Sequence, residues 1–294
     1  MTRRPPPPSG IIIVDKPSGW TSHDVVGKMR GIAGTRKVGH AGTLDPMATG
    51  VLVVGVEKAT RLLGHLALTE KVYEATMRLG VSTNTDDAEG EETGRTSAAA
   101  VTADDVHKGV AALTGRIMQV PPQVSAIKVN GERAYKLARQ GEEVALQARP
   151  ITVHAFEVTS VVLGESVDVT ATITCSSGTY IRSLARDLGD GLGVGGHLTA
   201  LRRTRVGPYA VENALSIEAL QQGCVILPIA DAVSQAFPRR DVTEEEARLV
   251  SHGGRLKAAG LGEGPIGVFA PDGELLALVE EKGGAARPLA VFAG

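Results

Sequence analysis

The sequence predicts an α+β protein, and three observations carry that reading. Short β-branched or apolar runs, Ile11-Ile12-Ile13-Val14 and Val51-Leu52-Val53-Val54-Gly55-Val56, are bounded by turn residues and fit buried strands. Other segments open on N-cap candidates, at Thr21-Ser22-His23-Asp24 and at Thr102, and continue with apolar residues at helical spacing. The strand-like stretch Ile151 to Val162 is followed at once by the alternating Val167 to Cys175, which fits an antiparallel pair.

The elements follow in order. Asp15-Lys16-Pro17-Ser18-Gly19 closes the first strand as a turn, and the helix after Thr21 runs through Val25, Val26 and Met29. Lys58 to Leu63 fits a helix. Lys71 to Leu79 alternates as a strand, with Tyr73 on the face of Ala75 and Met77. Thr83 to Arg95 is a polar loop that lacks the glycine and terminal glutamate spacing of an EF-hand, so a calcium site is rejected. A helix runs from about Thr102 to Leu113. Gln119 to Lys128, with Pro121-Pro122, is extended, and Glu132 to Gln140 is a basic helix ending at Gly141. Ser176 to Leu188 turns from strand into helix, where Arg182 sets a cation against the helix dipole unless a carboxylate compensates. Gly191 to Gly196 matches GxGxxG but follows a helix, so the dinucleotide context is absent. A boundary falls near Phe237-Pro238-Arg239-Arg240. Beyond it come a helix over Thr243 to Val250 and two strands, Ile266 to Ala270 and Glu274 to Val279, around Pro271-Asp272-Gly273.

Composition narrows the class. The 294 residues, 43% hydrophobic and 22% charged, suffice for one large domain and a small one. Cys175 and Cys224 form no CxxC pair, which excludes a disulfide framework and fits a reducing cytoplasm. The start, Met1-Thr2-Arg3-Arg4-Pro5-Pro6-Pro7-Pro8, reads as a disordered Pro-rich arm over residues 1–9, not as a signal peptide, and no apolar run suits a membrane span. Seven Lys/Arg and nine Asp/Glu lie from Pro238 onward and 24 of each before it, so a polyanion must be held by local patches. Candidates are Arg36-Lys37, the set Lys128, Arg133, Lys136 and Arg139, and Arg202-Arg203-Arg205.

The chain is organised around Gly39-His40-Ala41-Gly42-Thr43-Leu44-Asp45-Pro46-Met47-Ala48-Thr49-Gly50. Three glycines allow tight turns, and an imidazole, two hydroxyls and one carboxylate are concentrated there. Asp45 before Pro46 also suits a helix N-cap followed by proline at the first helical position. Lys37 and His40 before the carboxylate, and the buried strand after it, favour a site loop. No Walker loop, GxSxG elbow or HExxH helix occurs, so one loop carboxylate, a histidine, a tyrosine and an arginine suit metal-free covalent or base chemistry.

These motifs, taken together with Ile13 to Ser22, Tyr73, Gln123-Val124-Ser125-Ala126-Ile127-Lys128 and Ser177-Gly178-Thr179-Tyr180-Ile181-Arg182, resemble in order those of the TruB family of tRNA pseudouridine synthases over about residues 10 to 210. The tail more loosely resembles a PUA-like RNA-binding domain. The resemblance implies a pseudouridine synthase fold with a central mixed or antiparallel sheet, flanking helices and a cleft holding Asp45, plus a small mostly-β C-terminal domain. It divides the chain into a catalytic domain at 10–236, with an insertion at about 120–149 over the T arm, and a PUA-like domain at 237–294.

The implied activity is isomerisation of uridine 55 in the tRNA T loop to pseudouridine by base flipping. Asp45 would be the nucleophile, attacking ribose, adding to uracil or stabilising charge. Tyr73 would stack on the base and assist late proton removal, and Arg182 would pair with Asp45. Tyr180 and Leu201 would line the uracil pocket, His40 would fill the vacated stack, and Lys16, Gly42 and Thr43 would complete the substrate-binding set. The resemblance implies no cofactor, no metal, no membrane and no obligate protein partner, with a cytoplasmic monomer acting on tRNA. Asn84 stands where the family often has an acidic residue. The alternatives are an RNA-binding, tRNA-folding protein with incidental catalysis and a guide-RNA-dependent relative, the latter disfavoured by the long insertion.

Overall fold

The computed structural model describes residues 5–123, 128–129, 132–133 and 146–293. The chain opens with strand β1 (Gly10–Lys16), helix α1 (Ser22–Ala33), strands β2 (Val38–Ala41) and β3 (Thr49–Val56), a 3-10 turn at Glu57–Leu62 and helix α2 (Leu63–Ala67). The middle holds β4 (Lys71–Leu79), β5 (Val81–Thr83), β6 (Glu92–Arg95), α3 (Ala103–Ala112), β7 (Gly115–Gln119), β8 (Lys128–Val129), β9 (Glu132–Arg133), β10 (Arg149–Val162), β11 (Val167–Cys175), α4 (Ile181–Gly191) and β12 (Gly196–Val206). The last part holds β13 (Tyr209–Ala210), α5 (Ile217–Gln222), β14 (Leu227–Pro228), α6 (Ile229–Ala236), β15 (Arg239–Asp241), α7 (Glu244–Ser251), β16 (Leu256–Lys257), β17 (Pro265–Phe269), β18 (Leu275–Lys282) and β19 (Ala285–Val291). The α+β class read from the sequence holds.

Two compact units form. One joins the chain up to Pro46, Gly50–Ala67 and the chain from Val206, and the other joins Met47–Thr49 and Leu68–Arg205. In the first, β3 is the central strand, with β1 and β2 antiparallel along it; Val14 faces Leu52 and His40 faces Val54 in register. Its residues from Gly50 to Val56 are all buried because both faces are covered. Leu52 and Val54 pack with Ile12, Val14 and the Val25, Val26 and Met29 face of α1. Val51 and Val53 pack instead with Ile11, Phe269, Leu275, Leu278 and Phe292. The capping box of Thr21 and Asp24 starts α1 and Gly34, at φ 69°, ends it.

The C-terminal strands form a five-stranded sheet in the order β15-β17-β18-β19-β16. The sequence shows only two of them. The others are two or three residues long or, in β19, carry Pro288 at a register shift, so periodicity does not betray them. Helix α7, capped by Thr243, packs Ala247 and Val250 on this sheet.

In the second unit the strand order is β12-β4-β11-β10-β7. Alternation in β4 is as expected, with Tyr73, Ala75, Met77 and Leu79 buried on one face and Tyr73 opposite Ile173 on β11. Three readings change. Lys58 to Leu63 is mostly 3-10 before α2 begins. The polar stretch 83–95 contains the β5–β6 hairpin, with Arg95 paired to Glu92. Glu132 lies in a strand paired with Lys128–Val129, where a helix was expected. The rest of that basic helix, with Lys136 and Arg139, lies outside the described residues, as does most of the Gln123 to Lys128 motif.

Phe269 is fully buried in the core that joins the C-terminal sheet to β1 and β3. Phe269→Ala is expected to cost about 3–5 kcal/mol in urea denaturation, the usual price of an aromatic cavity; a loss below about 1 kcal/mol would show that the two parts do not share a core.

Lys71 gives a pH signature. It is buried opposite Cys175, with Nζ donating to the Thr69 carbonyl at 2.8 Å, and burial first and the Arg203 charge second push its pKa down to about 8. Between that value and the ordinary 10.5 the unfolded chain binds more protons than the folded one, so this contribution to stability rises with pH. Burial pushes Cys175 up to about 11 from 9.0, which acts in the opposite sense as pH rises through that window. Comparison with Lys71→Met isolates the lysine. The stability of the wild type relative to the variant is expected to improve from pH 7.5 to pH 9, and a constant difference would contradict a depressed pKa.

Candidate active site

The loop between β2 and β3 carries Gly42, Thr43 and Asp45. Gly42 and Gly50 sit at φ 80° and 98°, the left-handed region that suits glycine, so the backbone reverses at both ends of the loop. No helix follows Pro46; β3 begins at Thr49, and the N-cap explanation for Asp45 is overturned. The loop is held from beneath instead. The Ser22 hydroxyl accepts from the Leu44 N–H at 2.9 Å and donates to the Leu44 carbonyl at 3.2 Å. The Gly19 N–H donates to the Pro46 carbonyl at 2.8 Å. Lys16, fully buried at the end of β1, donates from Nζ to the carbonyls of Trp20 at 2.6 Å, Pro17 at 2.9 Å and Pro46 at 3.1 Å. Both neighbours of Asp45 are therefore pinned, while Asp45 itself is half-buried and Thr43 exposed. His40, half-buried on β2, meets the His23 ring at a centroid distance of 5.8 Å and an interplanar angle of 76°. Lys16 thus lies beneath the Asp45 loop as an anchor, with its ammonium turned to backbone.

The second unit holds Tyr73, Tyr180, Arg182 and Leu201. Tyr180 is the N-cap residue of α4 and makes no side-chain cap. Its backbone is fixed by the buried Gln119 amide, which accepts from the Tyr180 N–H at 2.9 Å and donates to its carbonyl at 3.0 Å. Arg182, in the first turn and 5% exposed, donates to the Thr85 carbonyl at 2.9 Å and lies 3.3 Å from the Asp87 carboxylate. This is the compensating carboxylate that a cation at a helix start requires. One turn on, Arg186 pairs with Asp86 and Asp187, each at 2.8 Å, and donates to the Val120 carbonyl at 2.8 Å, which also accepts from the Ser183 hydroxyl at 3.0 Å. Burial raises the pKa of Asp86 and Asp187, and the Arg186 charge opposes it. Tyr73 and Leu201 are buried on β4 and β12, neighbours in the strand order. A cavity of about 250 Å³ opens beside Tyr180, lined also by Gln119, Pro121 and Arg149.

Ser22, Gln119, Asp86, Asp87 and Arg186, which hold the backbone or the arginines near the candidate residues, escape the sequence reading. Apart from Asp187 beside Arg186, their partners are many residues away, so spacing carries no signal for them. For Asp87 a weak signal exists, since the uncompensated Arg182 calls for an acid. The acidic run 86–91 turns its first two carboxylates to arginines. Among the described residues no group of three or more His, Cys, Asp or Glu could hold a metal ion, and no helix is long and apolar enough to cross a membrane.

The α+β scaffold, taken with the comparisons, defines the class as a pseudouridine synthase. Two solved structures share the fold. One is an H/ACA RNP bound to a substrate RNA containing 2′-deoxyuridine (28% identity, 97% of this chain and 85% of that one, TM-score 0.72). The other is an archaeal box H/ACA sRNP Nop10-Cbf5 complex (27% identity, 98% and 88%, TM-score 0.73). Residues 30–181 match the TruB family pseudouridylate synthase N-terminal domain, 182–232 the tRNA pseudouridylate synthase B C-terminal domain and 237–293 the tRNA pseudouridine synthase II C-terminal domain. The tRNA pseudouridine synthase B of Thermobifida fusca is 63% identical over 97% of this chain and 99% of its own length. That of Streptomyces griseus is 58% identical over the whole of both. The chain belongs to the TruB family, and it is a pseudouridine synthase, an isomerase.

The Ser22 clamp is testable. Ser22→Ala leaves the Leu44 N–H and carbonyl without this partner, which is expected to cost about 1–3 kcal/mol in urea denaturation. Misplacement of Asp45 is expected to slow turnover by about ten- to a hundredfold. Unchanged stability and turnover together would remove Ser22 from the site.

Proposed function

We propose that this chain converts uridine 55 in the T loop of tRNA to pseudouridine, with Asp45 as the nucleophilic carboxylate. The observation that carries the reading is the loop around Asp45: its neighbours are pinned by Ser22, Gly19 and Lys16, and its carboxylate is spent on no helix cap. The names borne by the T. fusca and S. griseus relatives point to tRNA as the substrate.

In this reading the enzyme flips the uridine out of its stack at a cost of a few kcal/mol. The C1′–N1 bond breaks, the uracil rotates, a C1′–C5 bond forms, the C5 proton leaves to solvent and the freed N1 takes up a proton, so substrate and product are isomers. Asp45 either bonds transiently to ribose or uracil or stabilises charge during cleavage; each route needs an ionised carboxylate in a fixed position. Arg182 is assigned as the cation for the Asp45 carboxylate. Tyr73 stacks on the base and assists removal of the C5 proton, while Tyr180 and Leu201 line the uracil pocket. His40 fills the vacated stack, and Lys16, Gly42 and Thr43 shape the loop that meets the nucleotide. Residues 10–236 form the catalytic domain, with the insertion at about 120–149 assigned to the T arm. Residues 237–294 act as a PUA-like RNA-binding domain. The enzyme works in the cytoplasm as a monomer without an obligate protein partner.

The test is tritium release from C5-labelled uridine in an unmodified T-arm transcript. Wild type is expected to release tritium, a transcript with cytidine at position 55 to give none from that site, and Asp45→Asn to abolish release while binding stays within a few-fold. Retained release in Asp45→Asn refutes the nucleophile assignment. Tight binding without release by the wild type would favour an RNA-folding role.

A further inference from the structure

We propose that His23 is a positioning residue for His40: its ring, on the first turn of α1, braces the His40 ring in the orientation from which it enters the RNA stack. The proposal rests on the assignment of His40 to the vacated stack. The supporting geometry lies within one unit. The ring centroids are 5.8 Å apart at 76°, inside the range of edge-to-face aromatic contacts.

Folding gives little reason for a histidine here. His23 is exposed and belongs to neither core cluster that packs α1 and β3. The first turn of α1 is fixed without it: the Asp24 carboxylate accepts from the Thr21 N–H at 2.9 Å and hydroxyl at 2.6 Å, and the Thr21 hydroxyl accepts from the Asp24 N–H at 3.1 Å. The backbone that presents His23 is thus rigid, and Asp24 is turned back to the cap. His40 is in turn held at its backbone by β2 pairing, with its register partner Val54 fully buried. A side chain that enters a stack must settle on one set of torsions. A neighbouring ring that limits those torsions beforehand reduces the ordering cost of insertion. The contact therefore acts on the flipping step, and only through His40.

The experiment uses the full chain and a T-arm transcript with 2-aminopurine beside the target uridine, whose fluorescence rises on unstacking. His23→Ala is expected to slow the rise roughly two- to tenfold, the size of one edge-to-face contact. His23→Phe, which keeps an aromatic edge, is expected to restore most of the rate, and His23→Ala added to His40→Ala to have no further effect. An unchanged rise in His23→Ala, no rescue by His23→Phe, or an undiminished effect in the His40→Ala background would overturn the proposal. The last of these would mean that His23 meets the RNA directly. An unchanged rise in His40→Ala itself would overturn the stack-filling assignment and this proposal together, whereas failure of His23 alone leaves that assignment standing.

Discussion

The Lys16 ammonium is the constraint on which the site loop depends. Its Nζ meets three carbonyl oxygens, of Pro17, Trp20 and Pro46, and three acceptors call for three N–H donors, the charged form. Moving such a charge out of water costs several kcal/mol unless hydrogen bonds replace its hydration. Charge-assisted hydrogen bonds contribute about 1.5–3 kcal/mol each, so three of them are of the right size to offset that cost. The consequence is geometric. One buried atom fixes the turn after β1 and the turn after Asp45 against each other, although 30 residues separate Lys16 from Pro46. A neutral side chain of similar shape could fill the volume but would leave those carbonyls without this donor.

The second unit uses the same device with the signs distributed differently. Arg182 and Arg186 stand one turn apart on α4 and reach the adjacent carboxylates Asp87 and Asp86 on the loop after β5. Asp86 sits at φ 60°, a conformation that a non-glycine residue adopts at a cost, and its pairing with Arg186 offsets that strain. The helix is also tied to the end of β7. Gln119 holds the backbone of Tyr180, and Ser183 and Arg186 both hold the Val120 carbonyl. The end of β7 is therefore tied to the helix that carries Arg182.

How much of this was legible in the sequence depended on the range of the interaction. Strands β1, β3, β4, β10 and β11 and helices α1 and α3 are written in local periodicity and caps, and they are found where those signals lie. Short strands such as β15 and β16 are not, because two or three residues carry no period and their pairing is decided by tertiary contact. The loop of Asp45 stood out through its glycines, yet Asp-Pro also suits a helix start, and only the absence of a helix after Pro46 separates the two readings. Ser22 illustrates the limit most clearly. In sequence it is an N-cap candidate beside Thr21, while in the fold Thr21 caps the helix and Ser22 turns inward to Leu44.

An isomerisation brings in no group and expels none, so what the protein contributes must be position and charge. That explains why so much of the framework around these residues is spent on backbone. Lys16, Ser22 and Gln119 all direct polar atoms to main-chain groups at or beside a residue of the proposed site, so the backbone that carries Asp45 and Tyr180 is fixed. Preorganisation of this kind lowers a barrier because the dipoles and charges need not reorient while the bond breaks. The buried faces of β3 extend the same logic. A strand packed on one side by α1 and on the other by the C-terminal sheet cannot slide without opening both cores, and the loop that carries Asp45 runs directly into it.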